Sequence, residues 1–383
     1  MKIAVATSNR ADYGILLPLI RRLNDDAAVD LELLVTGTHL ATDYGYTVTE
    51  IVDSGMPIAA RIPILAEGNS PLAVSRTVAN AINGFAAWFA KNQADMLIVL
   101  GDRTEMLGVC VAAMMESISI AHIAGGEYTA GAVDDSIRHS ITKMASLHFA
   151  TTDVYRRRII QLGEAPPTVH NVGSLSAENI LREKLLSREE LLASLGLYTE
   201  KPLVVVTYHP VTREKGDVDD GINELLGAMR ERLDYFYLIT KANADVGGGR
   251  INARLTEYVR EAGSDKAALV SSLGMKRYLS AVKNAAFVLG NSSSGFSEAP
   301  VLGTPTVNIG DRQKGRLLTK TIINCQPEKE AIITAMDKAV KTEHIPTDLY
   351  GDGHTSEKML AIIKDVLSRG KIKLQKEFYD IAY

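Results

Sequence analysis

The chain has 383 residues, 46% of them hydrophobic and 23% charged, which is apolar mass for more than one compact core and makes two domains the natural expectation. Its formal net charge of −4 offers no electrostatic footprint for nucleic acid, and no stretch approaches the ~18 consecutive apolar residues that a membrane helix needs. Nucleic-acid binding and membrane spanning are thereby excluded, and a globular, cytoplasmic protein is expected.

Lys2 leads directly into IAVAT, a strand with no extended signal-peptide core ahead of it. Short β-branched runs then alternate with amphipathic segments: a helix over 13–24, the strand LELLVT, a helix over 44–54, the strand MLIVL, a helix over 103–117, the strand ISIAHIA and a helix over 134–146. Such alternation predicts an α/β fold whose parallel sheet is covered by helices on both faces. Polar helical sequence over 173–200 carries no strand, after which PLVVVTYH, YFYLIT, AALVS, AAFVLG and TPTVNIG predict a second α/β domain, the two facing each other across a cleft. The boundaries drawn are 1–175 plus a C-terminal helix at about 365–383 for the first domain and 176–364 for the second, with the tail crossing back because no strand remains to pair with it. The basic clusters 156–158 and 371–376 read as solvated helix faces. Cys110 and Cys325 are too few for a disulfide framework and lack CxxC spacing, so both are expected to be reduced bystanders.

In a doubly wound sheet the ligand crevice lies outside the carboxyl ends of the strands, so polar residues just after strands are the first candidates. Asp102 follows MLIVLG, Glu127 follows IAHIAGG, and Asp134 and Asp135 open the next helix. Carboxylates gathered beside one cleft suggest proton transfer. A structural explanation stands beside each: Asp102 and Glu105 have the spacing of a helix cap and its reciprocal partner, and Asp134 and Asp135 are within reach of Arg138 on their own helix. At the tip of TSNRADYG, Arg10 would offer a planar, charge-assisted fork to a phosphate. VLGNSSSGFSEAP follows a strand and opens a helix, so its hydroxyls and free N–H groups suit a diphosphate; equally, one serine simply caps the helix and Gly295 allows the turn. Glu298, one turn on, is placed to accept from ribose hydroxyls. His209 follows a strand directly and faces the cleft, whereas His122 lies inside a strand and reads as a satisfied core histidine. There is no HExxH, and His139 and His148 are nine apart, off a common helix face, so no metal is expected. Without a Walker loop or a GxGxxG after the first strand, neither ATP nor NAD is expected.

Taken in order, SNRADYG, GTHLATDYG, VLGDRTE, HIAGGE, DDSIRHSITKMASLHF, NVGSLSAENIL, GNSSSGFSEAP and NIGDRQKGR resemble the hydrolysing UDP-N-acetylglucosamine 2-epimerases of sialic acid biosynthesis, over nearly the whole chain. The resemblance implies a GT-B architecture of two Rossmann-like domains with the nucleotide sugar between them, no metal or redox cofactor, and a homodimer or homotetramer. It implies removal of the C-2 proton and expulsion of UDP to give a glycal, then hydration with inversion at C-2, yielding N-acetylmannosamine. Asp102, Asp134, His209 and His39 match catalytic positions of the family; Arg10, Arg103, Asn243, Ser292, Ser293, Glu298 and Arg312 match its UDP-binding positions. Some members carry a carboxylate just ahead of the paired glycines, where this chain has Ala124, so either Glu127 takes over that role or the proton transfers are divided differently. A sister branch acts on UDP-2,4-diacetamido-2,4,6-trideoxyglucose in legionaminic acid biosynthesis, which is the alternative substrate. A GT-B glycosyltransferase that uses an acceptor instead of water, and a non-catalytic UDP-sugar sensor, are readings from other classes.

Overall fold

The computed structural model describes residues 1–68, 70–128, 133–210, 218–242, 248–370 and 375–381. The chain divides into two compact units, 1–179 with 350–383, and 180–349. In the first, β1 (Lys2–Thr7), α1 (Arg10–Asp25), β2 (Asp30–Thr36), α2 (Val48–Asp53), β3 (Ile58–Ile62), α3 (Pro71–Phe89), β4 (Met96–Leu100) and α4 (Thr104–Met115) follow one another. Next come β5 (Ser119–Ile123), α5 (Val133–Met144), β6 (Leu147–Ala150), α6 (Asp153–Gln161), β7 (Val169–Asn171) and α7 (Leu175–Arg182), in which the boundary falls. The second unit holds α8 (Arg188–Ser194), β8 (Leu203–Thr207), α9 (Val218–Glu231), β9 (Phe236–Thr240), α10 (Gly248–Ala262), β10 (Ala267–Val270), α11 (Gly274–Asn284) and β11 (Ala285–Gly290). It closes with α12 (Glu298–Leu302), β12 (Thr306–Ile309), β13 (Ile322–Cys325) and α13 (Lys329–Val340); α14 (Thr355–Ser368) returns to the first unit.

Both sheets are parallel, ordered β3-β2-β1-β4-β5-β6-β7 and β10-β9-β8-β11-β12-β13. Because helices cover both faces, β1, β4, β8 and β9 are buried along nearly their whole length, which is why they read as continuous apolar runs. In each sheet the strand order reverses beside the first strand, between β1 and β4 and between β8 and β11. Loops at the carboxyl ends of those four strands therefore splay apart and leave room for a ligand. Gly290, at φ +138°, lets β11 approach β8 there: a Cβ would lie 2.0 Å from the Thr207 carbonyl oxygen.

Several short elements depart from the sequence-based expectation. Leu147–Ala150, just beyond the helix expected over 134–146, is strand β6, and β3, β7 and helix α3 were not foreseen. The final helix spans Thr355–Ser368, with none over 375–381, and the chain crosses back at 350 instead of about 365. The physical reason is the apolar face of α14: Met359 and Ile363 are buried with Leu16, Leu19, Ile20 and Leu23 of α1 in the first unit's core. Within α1, Pro18 has no N–H to donate, and the Gly14 carbonyl it would have served accepts instead from Asn179 Nδ2 at 2.9 Å.

Of the basic clusters, 371–374 lie outside the described residues, and Arg156, Arg158 and Lys376 are not solvated. Arg156 Nε donates to the Val169 carbonyl at 3.0 Å and Arg158 Nη1 to the Gly126 carbonyl at 2.6 Å; Arg157 alone of the three is largely exposed. Lys376 Nζ donates to Glu164 Oε2 at 2.8 Å and to the carbonyls of Lys143 and Ala145 at 2.7 Å. Glu164, 2% exposed, also accepts from Lys143 Nζ at 2.6 Å and pairs with His148 Nε2 at 3.0 Å. Segment 375–381 is thereby pinned to the first unit, with Phe378 5.2 Å from Lys143 Nζ. Both cysteines are free, Cys110 buried in α4 and Cys325 half-buried at the end of β13. Among the described residues no helix is long and apolar enough to cross a membrane.

Candidate active site

At the β1/β4 ends of the first unit, Asn9 caps α1 by accepting from the Asp12 amide at 3.0 Å. Arg10 follows it, largely exposed, with Nε 3.0 Å from Glu50 Oε2. Beyond β4, Asp102 does not cap α4, whose cap is Arg103 with no side-chain bond. Its Oδ2 instead takes a short hydrogen bond from Arg138 Nη2. Burial raises the Asp102 carboxyl above the ordinary range, against the pull of Arg138 and Arg103 and with the push of Asp134. A carboxylate so raised holds a proton more readily than an ordinary one.

Beyond β5, Ala124 adopts the left-handed conformation at φ +61°, and its carbonyl accepts from Arg138 Nη1 at 2.8 Å. Gly126, also left-handed at φ +73°, could not carry a Cβ, which would lie 2.5 Å from the Tyr155 carbonyl oxygen. This turn delivers Glu127, which accepts from Thr151 Oγ1 at 2.9 Å and lies 3.8 Å from Arg138 Nη1. Asp134 is exposed in the first turn of α5, and Asp135 lies 3.6 Å from His139 Nε2.

His39 and His122 are both enclosed. His39, in a 3-10 turn over Gly37–Leu40, is fully buried, with Nε2 3.1 Å from Thr7 Oγ1 and Nδ1 2.8 Å from Thr47 Oγ1; burial lowers it to about 4. Both ring nitrogens of His39 are thus met by hydroxyls near the β1 and β2 ends. His122 is buried between the Gly101 carbonyl at 2.8 Å and Thr142 Oγ1 at 3.1 Å, and burial lowers it to about 3.

At the β8/β11 ends of the second unit the organising group is Asn291, fully buried. Its Oδ1 accepts from the His209 amide at 2.7 Å and its Nδ2 donates to the His209 carbonyl at 2.9 Å. The Asn291 carbonyl accepts from Arg312 Nη1 at 3.1 Å and Gln313 Nε2 at 3.0 Å. One residue thus joins three of the expected positions, His209, the serine turn and Arg312. The serines open a 3-10 turn over Ser293–Gly295, followed by the five-residue α12, in place of the longer helix expected. The macrodipole at that end is correspondingly small. Ser292 Oγ accepts from the Ser294 amide at 3.4 Å, so the capping role is realised, while Ser293 is exposed. Tyr278 OH makes a short hydrogen bond with Ser294 Oγ, and Glu298 Oε2 takes one from Ser297 Oγ. Asn243 lies outside the described residues. Among the described residues no group of three His, Cys, Asp or Glu is arranged to hold a metal ion.

A sequence model of the family described as UDP-N-acetylglucosamine 2-epimerase matches residues 21–364. The chain belongs to the UDP-N-acetylglucosamine 2-epimerase family. Its relatives include the GDP/UDP-N,N'-diacetylbacillosamine 2-epimerase (hydrolyzing) of Campylobacter jejuni subsp. jejuni, 39% identical over 325 residues, 85% of this chain and 84% of that one. Polysialic acid biosynthesis protein P7 of Escherichia coli is 36% identical over 99% of this chain and 97% of its own. Among solved structures, UDP-GlcNAc 2-epimerase from Neisseria meningitidis bound to UDP-GlcNAc matches with a TM-score of 0.79 over 95% of this chain and 100% of that chain, at 16% identity. These comparisons place the chain among the hydrolysing nucleotide-sugar 2-epimerases, with the GT-B type of fold built from two Rossmann-like units.

The sequence-based reading did not single out three residues that lie among these groups in the structure. Asp12 lies on the first turn of α1 with its side chain 15% exposed, accepts from Asn9 Nδ2 at 2.6 Å and Ser8 Oγ at 3.2 Å, and stands 4.0 Å from Arg103 Nε. Burial, partly offset by Arg103, raises Asp12 to about 6. Asn291 and Tyr278 were the others; a non-serine inside GNSSSG was a visible signal for Asn291, and nothing local marks Tyr278.

Proposed function

We propose that this epimerase converts UDP-N-acetylglucosamine and water into N-acetylmannosamine and UDP, by elimination to a glycal and hydration. The observation that carries the reading is the placement of polar groups where each sheet reverses its strand order: Arg10, Asp102 and Arg103 in one unit, His209 and the serine turn in the other. The chemistry needs a base at C-2, a group that carries the departing diphosphate, and a group that returns a proton after water adds. Asp102, raised by burial, suits the base; Asp134 and Glu127 are the carboxyls at hand for the return step. His209 is assigned to the diphosphate side with Arg10, Arg103, Ser292, Ser293 and Arg312, and Glu298 to the ribose. Asn243 is assigned to UDP from the family resemblance alone.

With UDP-N-acetylglucosamine in heavy water, the expected products are UDP and N-acetylmannosamine deuterated at C-2. Product without deuterium at C-2 would refute the elimination, and UDP release that requires an added acceptor would indicate a glycosyltransferase.

A second reading keeps the reaction and changes the sugar to the diacetamido-trideoxy donor. It is favoured by the 39% identity to a diacetylbacillosamine 2-epimerase. Initial rates on the two UDP donors, measured side by side, decide between them. A kcat/KM for the diacetamido donor that exceeds the N-acetylglucosamine value overturns the first assignment.

A further inference from the structure

Arg138, on α5, has a side chain only 8% exposed, and its two terminal nitrogens serve different strand ends. Nη2 donates to Asp102 beyond β4; Nη1 donates to the Ala124 carbonyl at 2.8 Å and stands 3.8 Å from Glu127 Oε2 beyond β5. The other Glu127 oxygen is held by Thr151 Oγ1 beyond β6, at 2.9 Å. Three successive strand ends are thus tied together through one guanidinium and one hydroxyl, whereas on sequence alone the acids of its own helix are the partners within reach of Arg138.

We propose that Arg138 is the positioning residue of the proton-transfer step, holding Asp102 and Glu127 at a set separation on a single shared cation. This rests on the reading above, in which those two carboxyls act on the sugar. The guanidinium is suited to the task because its planar fork reaches two directions at once, which an ammonium point charge cannot do. Charged groups facing Asp102 are Arg138 and Asp134 from α5 and Arg103 at the start of α4. Burial already raises the Asp102 carboxyl, and Arg138 opposes that rise. Removing the cation raises the carboxyl further, so a base at Asp102 becomes ionised only at higher pH.

The test compares full-length wild type, Arg138→Gln and Arg138→Lys by turnover and by titration of Asp102. For Arg138→Gln the expectation is a kcat lowered by about 100-fold at pH 7, with KM and the dissociation constant of UDP unchanged within about threefold. The acidic limb of kcat should move to higher pH, and Arg138→Lys should bring the limb back while recovering only part of the rate. A loss that is equal at every pH and no smaller in Arg138→Lys means a purely structural role and overturns the proposal, as does an Arg138→Gln variant with kcat within about threefold of wild type. Should Arg138→Gln not fold, Arg138→Lys alone decides: kcat must fall with KM held. Carbon-13 NMR of labelled aspartates, with Asp102→Asn giving the assignment, reads the coupling without turnover. A midpoint for Asp102 that rises in Arg138→Gln supports the proposal, and an unmoved midpoint in that variant overturns it. Wild type that turns over neither donor would refute the functional reading, while the NMR titration would still decide whether Arg138 governs Asp102.

Discussion

Replacing Glu164 by glutamine tests whether charge latches the tail onto the first unit. Burial alone pushes this carboxyl up, but His148, Lys143 and Lys376 together outweigh it and bring it from the ordinary 4.5 to about 2. A shift of that size corresponds to roughly 3 kcal/mol of stabilisation. The same burial lowers Lys376 and His148, which offsets part of the gain, and a net effect of about 2 kcal/mol is expected. Because the folded value lies below the ordinary one, the contribution is complete above pH 4.5 and lost as pH falls through about 2. Glu164→Gln should therefore lower the unfolding free energy of the first unit by about 2 kcal/mol at pH 7, and the gap to wild type should shrink to roughly half or less at pH 3. Urea unfolding followed by fluorescence reports on this unit directly, since the single tryptophan, Trp88, lies in α3. Limited proteolysis should also cut the 375–381 segment faster in the variant. A Glu164→Gln protein within about 0.5 kcal/mol of wild type at pH 7, or a gap that does not change with pH, would refute the reasoning.

Two further outcomes follow from the strand-end geometry. Asp12 is raised to about 6 in the fold, so the folded state binds more protons than the unfolded one and wild type should lose stability as pH rises from about 3.8 to 6. Asp12→Asn, which keeps the Ser8 and Asn9 contacts, should be more stable than wild type by about 1–2 kcal/mol at pH 8 and equal to it at pH 3; thermal melts at the two pH values check this, and a pH-independent difference contradicts it. Asn291→Ala leaves the His209 amide and carbonyl without their partners, so the second unit should lose about 2–4 kcal/mol, and calorimetric titration with UDP should show affinity weakened at least about tenfold. A variant as stable as wild type would remove Asn291 from its organising role.

Much of the fold was legible because strands buried on both faces write themselves as unbroken apolar runs, as in LIVL and LVVVT. The shortest strands were not. Leu147–Ala150 continues the apolar spacing of the helix before it, and what separates the two is pairing with Ala121–Ile123 across the sheet, which no local pattern encodes. At the site, Arg10, Asp102, His209 and the serines stood out because they directly follow strands. His39 looked equally eligible, and only the surrounding Thr7 and Thr47 hydroxyls show that its ring is enclosed. Arg138 and Asn291 were underread for a common reason: their partners come from distant parts of the chain, Asp102 and Glu127 for one, His209 for the other.

The return of α14 to the first unit has a consequence for biosynthesis. The second unit's sequence is synthesised entire before the first unit's is finished, because Met359 and Ile363, which seal the α1 side of that first core, lie downstream of it. During translation the N-terminal sheet therefore keeps an apolar flank uncovered until α14 has been made. A nascent chain stalled shortly after residue 349 should accordingly need chaperone cover on its earliest-made half, not on its most recent.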